Sequence, residues 1–172
     1  MIHNVHERTL PADPKVVGRL LDRIAEPGNP LWPARWHPLV LQGPIAPGVR
    51  GGHGPINYEV TEHVPGVRLA FRFRRTFGLD PNGHHCFEVL PDREPDRSRL
   101  RHTLTADPPL PLRAIWACTI GPLHDALLED LLDNAAAETG APRTATWPPI
   151  VVVLRAALTP LRARPRHPDP RP

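Results

Sequence analysis

The sequence predicts an α+β domain in which a curved antiparallel sheet wraps around one long C-terminal helix. Three observations carry this reading. Apolar and polar residues alternate through much of Ile56 to Ala106, an apolar stripe at helical spacing runs from Ile120 to Ala135, and a strand-then-helix pattern opens the chain. Alternation has the two-residue period of a half-buried strand, and the stripe has the 3.6-residue period of an amphipathic helix. A sheet with one apolar face must cover it, and the long helix is the natural cover.

Taken in order, Ile2 to Leu10 reads as a first strand. Pro11-Ala12-Asp13-Pro14 reads as a helix entrance, with Asp13 as N-cap and Pro14 in the first turn. Val16, Val17, Leu20, Leu21 and Ile24 then form an apolar helix face that ends before Pro27-Gly28-Asn29-Pro30. The stretch from Leu31 to Ile56 is rich in Trp, Pro and Gly and is expected to hold a short helix, a loop and a short strand. Ile56, Tyr58 and Val60 share one strand face. After Pro65-Gly66, Val67, Leu69, Phe71 and Phe73 share another, with Arg68, Arg72 and Arg74 opposite. His84 to Leu90 and Arg99 to Ala106 continue the meander. Ile120, Leu127, Leu128, Leu131, Leu132 and Ala135 then form the stripe, with Gly121-Pro122 starting or kinking the helix and Ala114 to Ile120 open between helix and strand.

Domain organisation follows from composition. Of 172 residues, 1–139 are expected to form the domain and 140–172 a Pro/Arg-rich tail with a short helix at 149–161. The calculated pI is near 9.5. Residues 1–139 hold 15 Lys/Arg against 17 Asp/Glu, whereas the tail holds six Arg against Asp169, so the positive excess lies in the tail. No basic helix interleaved with aromatics is present, which argues against nucleic acid as a partner. The tail is expected to dock on the domain or fray, with contact to an anionic membrane surface as the alternative. Cys86 and Cys118 are too few for a disulfide framework, and no signal peptide or spanning segment is evident, so the cytoplasm is the expected location.

Leu31-Trp32-Pro33 with Trp36, Gly51-Gly52-His53-Gly54-Pro55-Ile56 with Tyr58 and Val60, and the run His124 to Asp133 together resemble an actinobacterial branch of the SRPBCC superfamily. That group includes START-like lipid-transfer domains and polyketide cyclase/dehydratase-like proteins. Over residues 1–139 the resemblance implies a helix-grip fold with a cavity for a hydrophobic ligand. Its motifs do not fix the function, because fold does not fix activity, and it carries over no catalytic residue, since the branch has no defining catalytic motif to map onto these positions.

Ten histidines invite a check of their faces. His124 lies about 60° from Leu127 around the last helix, within the apolar stripe. His102 shares a strand side with Leu100 and Leu104, and His85 with Phe87 and Val89. All three are expected to look inward, where a neutral imidazole can move protons near neutral pH. They are the candidate catalytic residues, and hydrogen-bonded core histidines are the plainer reading. No metal set is expected, since these three lack ligand spacing, and no cofactor fingerprint is present. His53 is expected near the pocket mouth, after a glycine-rich bend. Trp32, Trp36, Tyr58, Phe71 and Phe73, with His53, His85, His102 and His124, are the candidate ligand-binding wall. The acidic run Asp125, Glu129, Asp130 and Asp133 is read as a solvated face or as partners for Arg72 and Arg74. No Ser-His-Asp order, GxSxG or nucleophilic cysteine motif occurs. Three functions follow: a carrier of a small hydrophobic molecule, a cyclase/dehydratase-like enzyme using a pocket histidine as acid/base, or an interaction protein acting through its basic tail. Oligomeric state and ligand identity are left open by the sequence.

Overall fold

The computed structural model describes residues 1–75 and 78–158. Seven antiparallel strands form one sheet in the order β1-β7-β6-β5-β4-β3-β2, with β1 Ile2–Leu10, β2 Val40–Leu41, β3 Arg50–His53, β4 Ile56–Val64, β5 Arg68–Phe73, β6 Gly83–Pro91 and β7 Ser98–Ala106. Helix α1 spans Pro14–Asp22, and α2 (Leu110–Ile115), a π-helical turn (Trp116–Ile120) and α3 (Gly121–Glu138) form one continuous helical stretch. Helix α4, Pro149–Leu158, follows.

Helix α1 starts as its sequence dictates: the Asp13 carboxylate accepts the Lys15 backbone N–H at 2.7 Å, and Pro14 fills the first turn. Its buried residues Val17 and Leu21, with Ile24 just beyond, join the core. Gly18 lies so close to the β4–β5 turn that a Cβ would come within 2.4 Å of the Gly66 carbonyl oxygen. Gly66 has φ 73°, and its N–H donates to Asp22 Oδ1.

The core sits between the concave sheet face and α3. Val60, Leu69, Phe71, Phe87, Val89 and Leu100 meet Leu127, Leu128, Leu131, Leu132 and Ala135 of the stripe. Each leucine so buried contributes about 2 kcal/mol of transfer free energy.

Several expectations are corrected. No helix follows Trp32; Pro33 to Trp36 is a turn closed by the Trp36 N–H on the Pro33 carbonyl, because the flanking prolines supply no amide donors. Two short strands, β2 and β3, occupy the rest, and Gly51 admits them: a Cβ there would lie 2.2 Å from the Val40 carbonyl oxygen. Val67 belongs to the turn before β5 and is half exposed. Ala114 to Ile120 is helical. Pro122 has no N–H to give, and the Gly121 N–H reaches back five residues to the Trp116 carbonyl, which is the π turn.

The acidic run is also corrected. Arg72 and Arg74 pair with Glu59, not with α3. Asp125, Glu129 and Asp133 instead face β1. A helix rises about 6 Å over four residues and a strand slightly more over two, so the two rows match. Asn4 donates to Asp125, His6 contacts Asp125 and Glu129, and Arg8 pairs with Glu129 and Asp133. Asp130, only 4% exposed, faces away from β1 and receives Arg35 and the indole N–H groups of Trp36 and Trp147.

The chain beyond residue 139 lies against α3 as far as the described residues run. Thr144 and Ala145 donate backbone N–H groups to Asp133, and Val151 of α4 is fully buried. The Arg155 guanidinium lies over Trp36 and Trp147 at 4.4 and 4.6 Å. Residues 159–161, the expected end of the last short helix, lie outside the described residues. Among the described residues no helix is long and apolar enough to cross a membrane.

Candidate ligand-binding cavity

A cavity of about 520 Å³ lies between the sheet, the Trp-rich segment and the α2–α3 helix. All nine wall residues expected from the sequence line it. Trp32, Trp36 and His53 come from the segment before β4 and from β3. Tyr58, Phe71 and Phe73 come from β4 and β5, His85 and His102 from β6 and β7, and His124 from α3. Sequence reasoning missed the part of the wall from α2 and the π turn, among it Leu112, Trp116 and Thr119. Their apolar spacing was readable, but not that the helix begins before Gly121. Ile115 lines the wall and is 40% exposed.

Strand register brings His85 and His102 together. His85 pairs with Leu104 and His102 with Phe87, so the two imidazoles are diagonal neighbours on the concave face. His85 Nδ1 lies 3.1 Å from His102 Nε2. His85 stacks on Phe71 and Phe73, with ring centres 4.9 and 5.0 Å apart. Burial, reinforced by the nearby histidines, pushes both imidazoles well below their ordinary range, so both are neutral. Each ring then carries one proton, and one ring must donate to the other. Whichever donates, His85 Nε2 and His102 Nδ1 are left as one donor and one acceptor, and both atoms are buried without a protein partner.

The other polar groups follow the same logic. His53, packed between Trp32 and Tyr58, is brought down to about 3 by burial and the neighbouring histidines His124 and His37. Burial raises the Tyr58 hydroxyl well above its usual range, so it stays protonated. His124 lies 5.2 Å from His102, ring centre to ring centre. Burial lowers it, and Asp125, 3.4 Å from its Nδ1, opposes that only in part. At the seam behind it the balance reverses: burial lowers His6, but the hydrogen bonds and charges of Asp125 and Glu129 outweigh it and raise the group.

Neither a family model nor a curated protein matches the sequence. Solved structures do match in shape. A Thermobifida fusca protein determined by solution NMR has a TM-score of 0.63 at 16% identity, over 85% of this chain and 100% of that one. Norcoclaurine synthase from Thalictrum flavum, in complex with dopamine and hydroxybenzaldehyde, has a TM-score of 0.57 at 14% identity, over 79% of this chain and 86% of that one. A Mesorhizobium loti protein has a TM-score of 0.54 at 16% identity, over 84% and 100%. The fold is the helix grip. At these identities the likeness establishes architecture and leaves activity to the site itself.

Proposed function

We propose that this protein is an SRPBCC-type carrier acting in the cytoplasm, which holds one small hydrophobic molecule in the cavity between sheet and C-terminal helix. The observation that carries the proposal is the cavity itself, whose volume falls within the range of small-molecule sites and whose wall is mainly aromatic and aliphatic. The neutral His85–His102 pair adds chemistry. With one buried donor and one buried acceptor left over, it suits a ligand bearing a hydroxyl or an enolisable carbonyl on an apolar skeleton.

The second reading is an enzyme of the cyclase/dehydratase kind, favoured by a specific contact: His124 lines the cavity and has the Asp125 carboxylate behind its Nδ1. That arrangement suits a general base whose imidazolium is stabilised as it forms. The basic-tail reading rests on six arginines of which only Arg143 and Arg155 are among the described residues, and nothing in the site favours it.

Native mass spectrometry of the full chain, followed by organic extraction, tests the first reading. A near-stoichiometric apolar compound is expected, lost in Leu123→Trp, which fills the cavity from α3. An empty protein that ignores a panel of apolar probes would sink the proposal. His124→Phe then separates the readings: a carrier keeps its affinity, whereas an enzyme keeps binding and loses turnover.

A further inference from the structure

The seam between β1 and α3 holds a group of side chains of which the carrier reading uses only His124. Asp125 Oδ1 lies 2.9 Å from Asn4 Nδ2, 3.1 Å from His6 Nε2 and 3.4 Å from His124 Nδ1. The ligating atoms of His6, His124 and Asp125 all lie within 4.8 Å of one another. A tetrahedral zinc ion with bonds of roughly 2.0–2.2 Å needs ligand atoms separated by roughly 3.3–3.5 Å. The contacts of both imidazoles to Asp125 are close to that spacing before any ion is considered.

His6 supplies the second argument. Its Nδ1 is 2.7 Å from Glu129 Oε1, and Glu129 is itself held by Arg8. A carboxylate taking the Nδ1–H leaves Nε2 as the nitrogen that faces Asp125, the outer-layer arrangement found behind metal-bound histidines. In the ion-free chain a proton on Nε2 bridges His6 to Asp125 at 3.1 Å, and a divalent cation would take that proton's place. Arg8 pairs with Glu129 and Asp133, which holds the outer carboxylate in place beside His6. Asn4, whose Nδ2 donates to Asp125, has its Oδ1 buried without a partner beside the trio's carboxylate.

We infer that His6, His124 and Asp125 form a binding site for a divalent transition metal of the zinc class, with Glu129 as the outer carboxylate orienting His6. Two imidazoles and one carboxylate suit zinc better than calcium or magnesium, which take all-oxygen sets. The trio differs from the histidines weighed from the sequence, since His85 and His102 take no part. His124 belongs to both the seam and the cavity wall, so the ion adjoins the pocket. The inference does not depend on what the cavity holds.

The test uses the full chain, freed of metal by chelator dialysis and titrated with Zn²⁺ by calorimetry, with Co²⁺ absorption as a second reading. One equivalent is expected to bind, with visible Co²⁺ bands of a four-coordinate nitrogen/oxygen site. His6→Gln and Asp125→Asn should each remove that equivalent, and Glu129→Gln should weaken it roughly 10–100-fold. His84→Gln, at an exposed histidine on the opposite sheet face, should leave it intact. Failure of the wild-type chain to take up one saturable equivalent would overturn the inference whatever the variants do. So would unchanged affinity in the His6→Gln/Asp125→Asn double variant.

Discussion

Asp130→Asn probes how the C-terminal segment is fastened to the pocket wall. The wild-type carboxylate accepts the indole N–H of Trp36 at 2.6 Å and of Trp147 at 3.0 Å, and Arg35 at 2.8 and 3.0 Å. Hydrogen bonds to a charged acceptor contribute about 1.5–3 kcal/mol each. Arg35 is 60% exposed, so its share is below about 1 kcal/mol. Asparagine keeps one acceptor oxygen but presents an NH₂ group where a donor now points. One indole bond should be lost and the rest weakened, for about 2–3 kcal/mol in all. In a chain of this size that lowers Tm by about 4–12 °C. Urea unfolding followed by tryptophan fluorescence measures it, with Glu138→Gln, an exposed charge on the same helix, as a control expected to move less than about 0.5 kcal/mol. Because Trp36 is also cavity wall, affinity for an apolar probe should fall in the same variant. A loss no larger than that of the control would refute the assignment of Asp130 as the fastening group.

Two further predictions follow from backbone packing and from burial. Gly18→Ala sets a methyl group against the Gly66 backbone and should cost about 2 kcal/mol or more, measured by thermal unfolding; a neutral result would mean that α1 does not press on the β4–β5 turn. His53 is held down to about 3, so the unfolded chain binds a proton below about pH 6.5 that the folded chain refuses. Its contribution is therefore complete above pH 6.5 and is lost as pH falls toward 3. His53→Phe should reduce the drop in unfolding free energy between pH 6.5 and 5.5 by about 1 kcal/mol. Parallel stability curves for the two proteins would refute the burial of a neutral imidazole there.

The fold was legible where one element carries its own signal. Asp13 and Pro14 start α1, alternation marks β6 and β7, and the leucine stripe marks α3. It was illegible from Leu31 to Ile56, where prolines and glycines remove the period without saying what replaces it. The candidate site was half readable. Alternation turns His85 and His102 inward, but their contact depends on the β6–β7 register, which neither strand fixes alone. Periodicity likewise showed which face of α3 carries Asp125, Glu129 and Asp133, but not that β1 lies against it. Strand β1 gave no warning, because Asn4, His6 and Arg8 on its inner side are as polar as His3 and Glu7 on its outer side.

That polarity has a consequence for the order in which the molecule is made. His6 faces His102 in the β1–β7 ladder, 96 positions later in the chain. At synthesis rates of roughly 5–20 residues per second, β1 exists for about 5–20 seconds before its partner strand does, and longer before α3. Throughout that interval its edge hydrogen-bonding groups are open to any other extended chain. A strand of alternating valine and leucine would be a hazard there. Imidazole, guanidinium, carboxylate and amide groups on both sides keep this one hydrated, so the first strand made and among the last paired stays harmless while it waits.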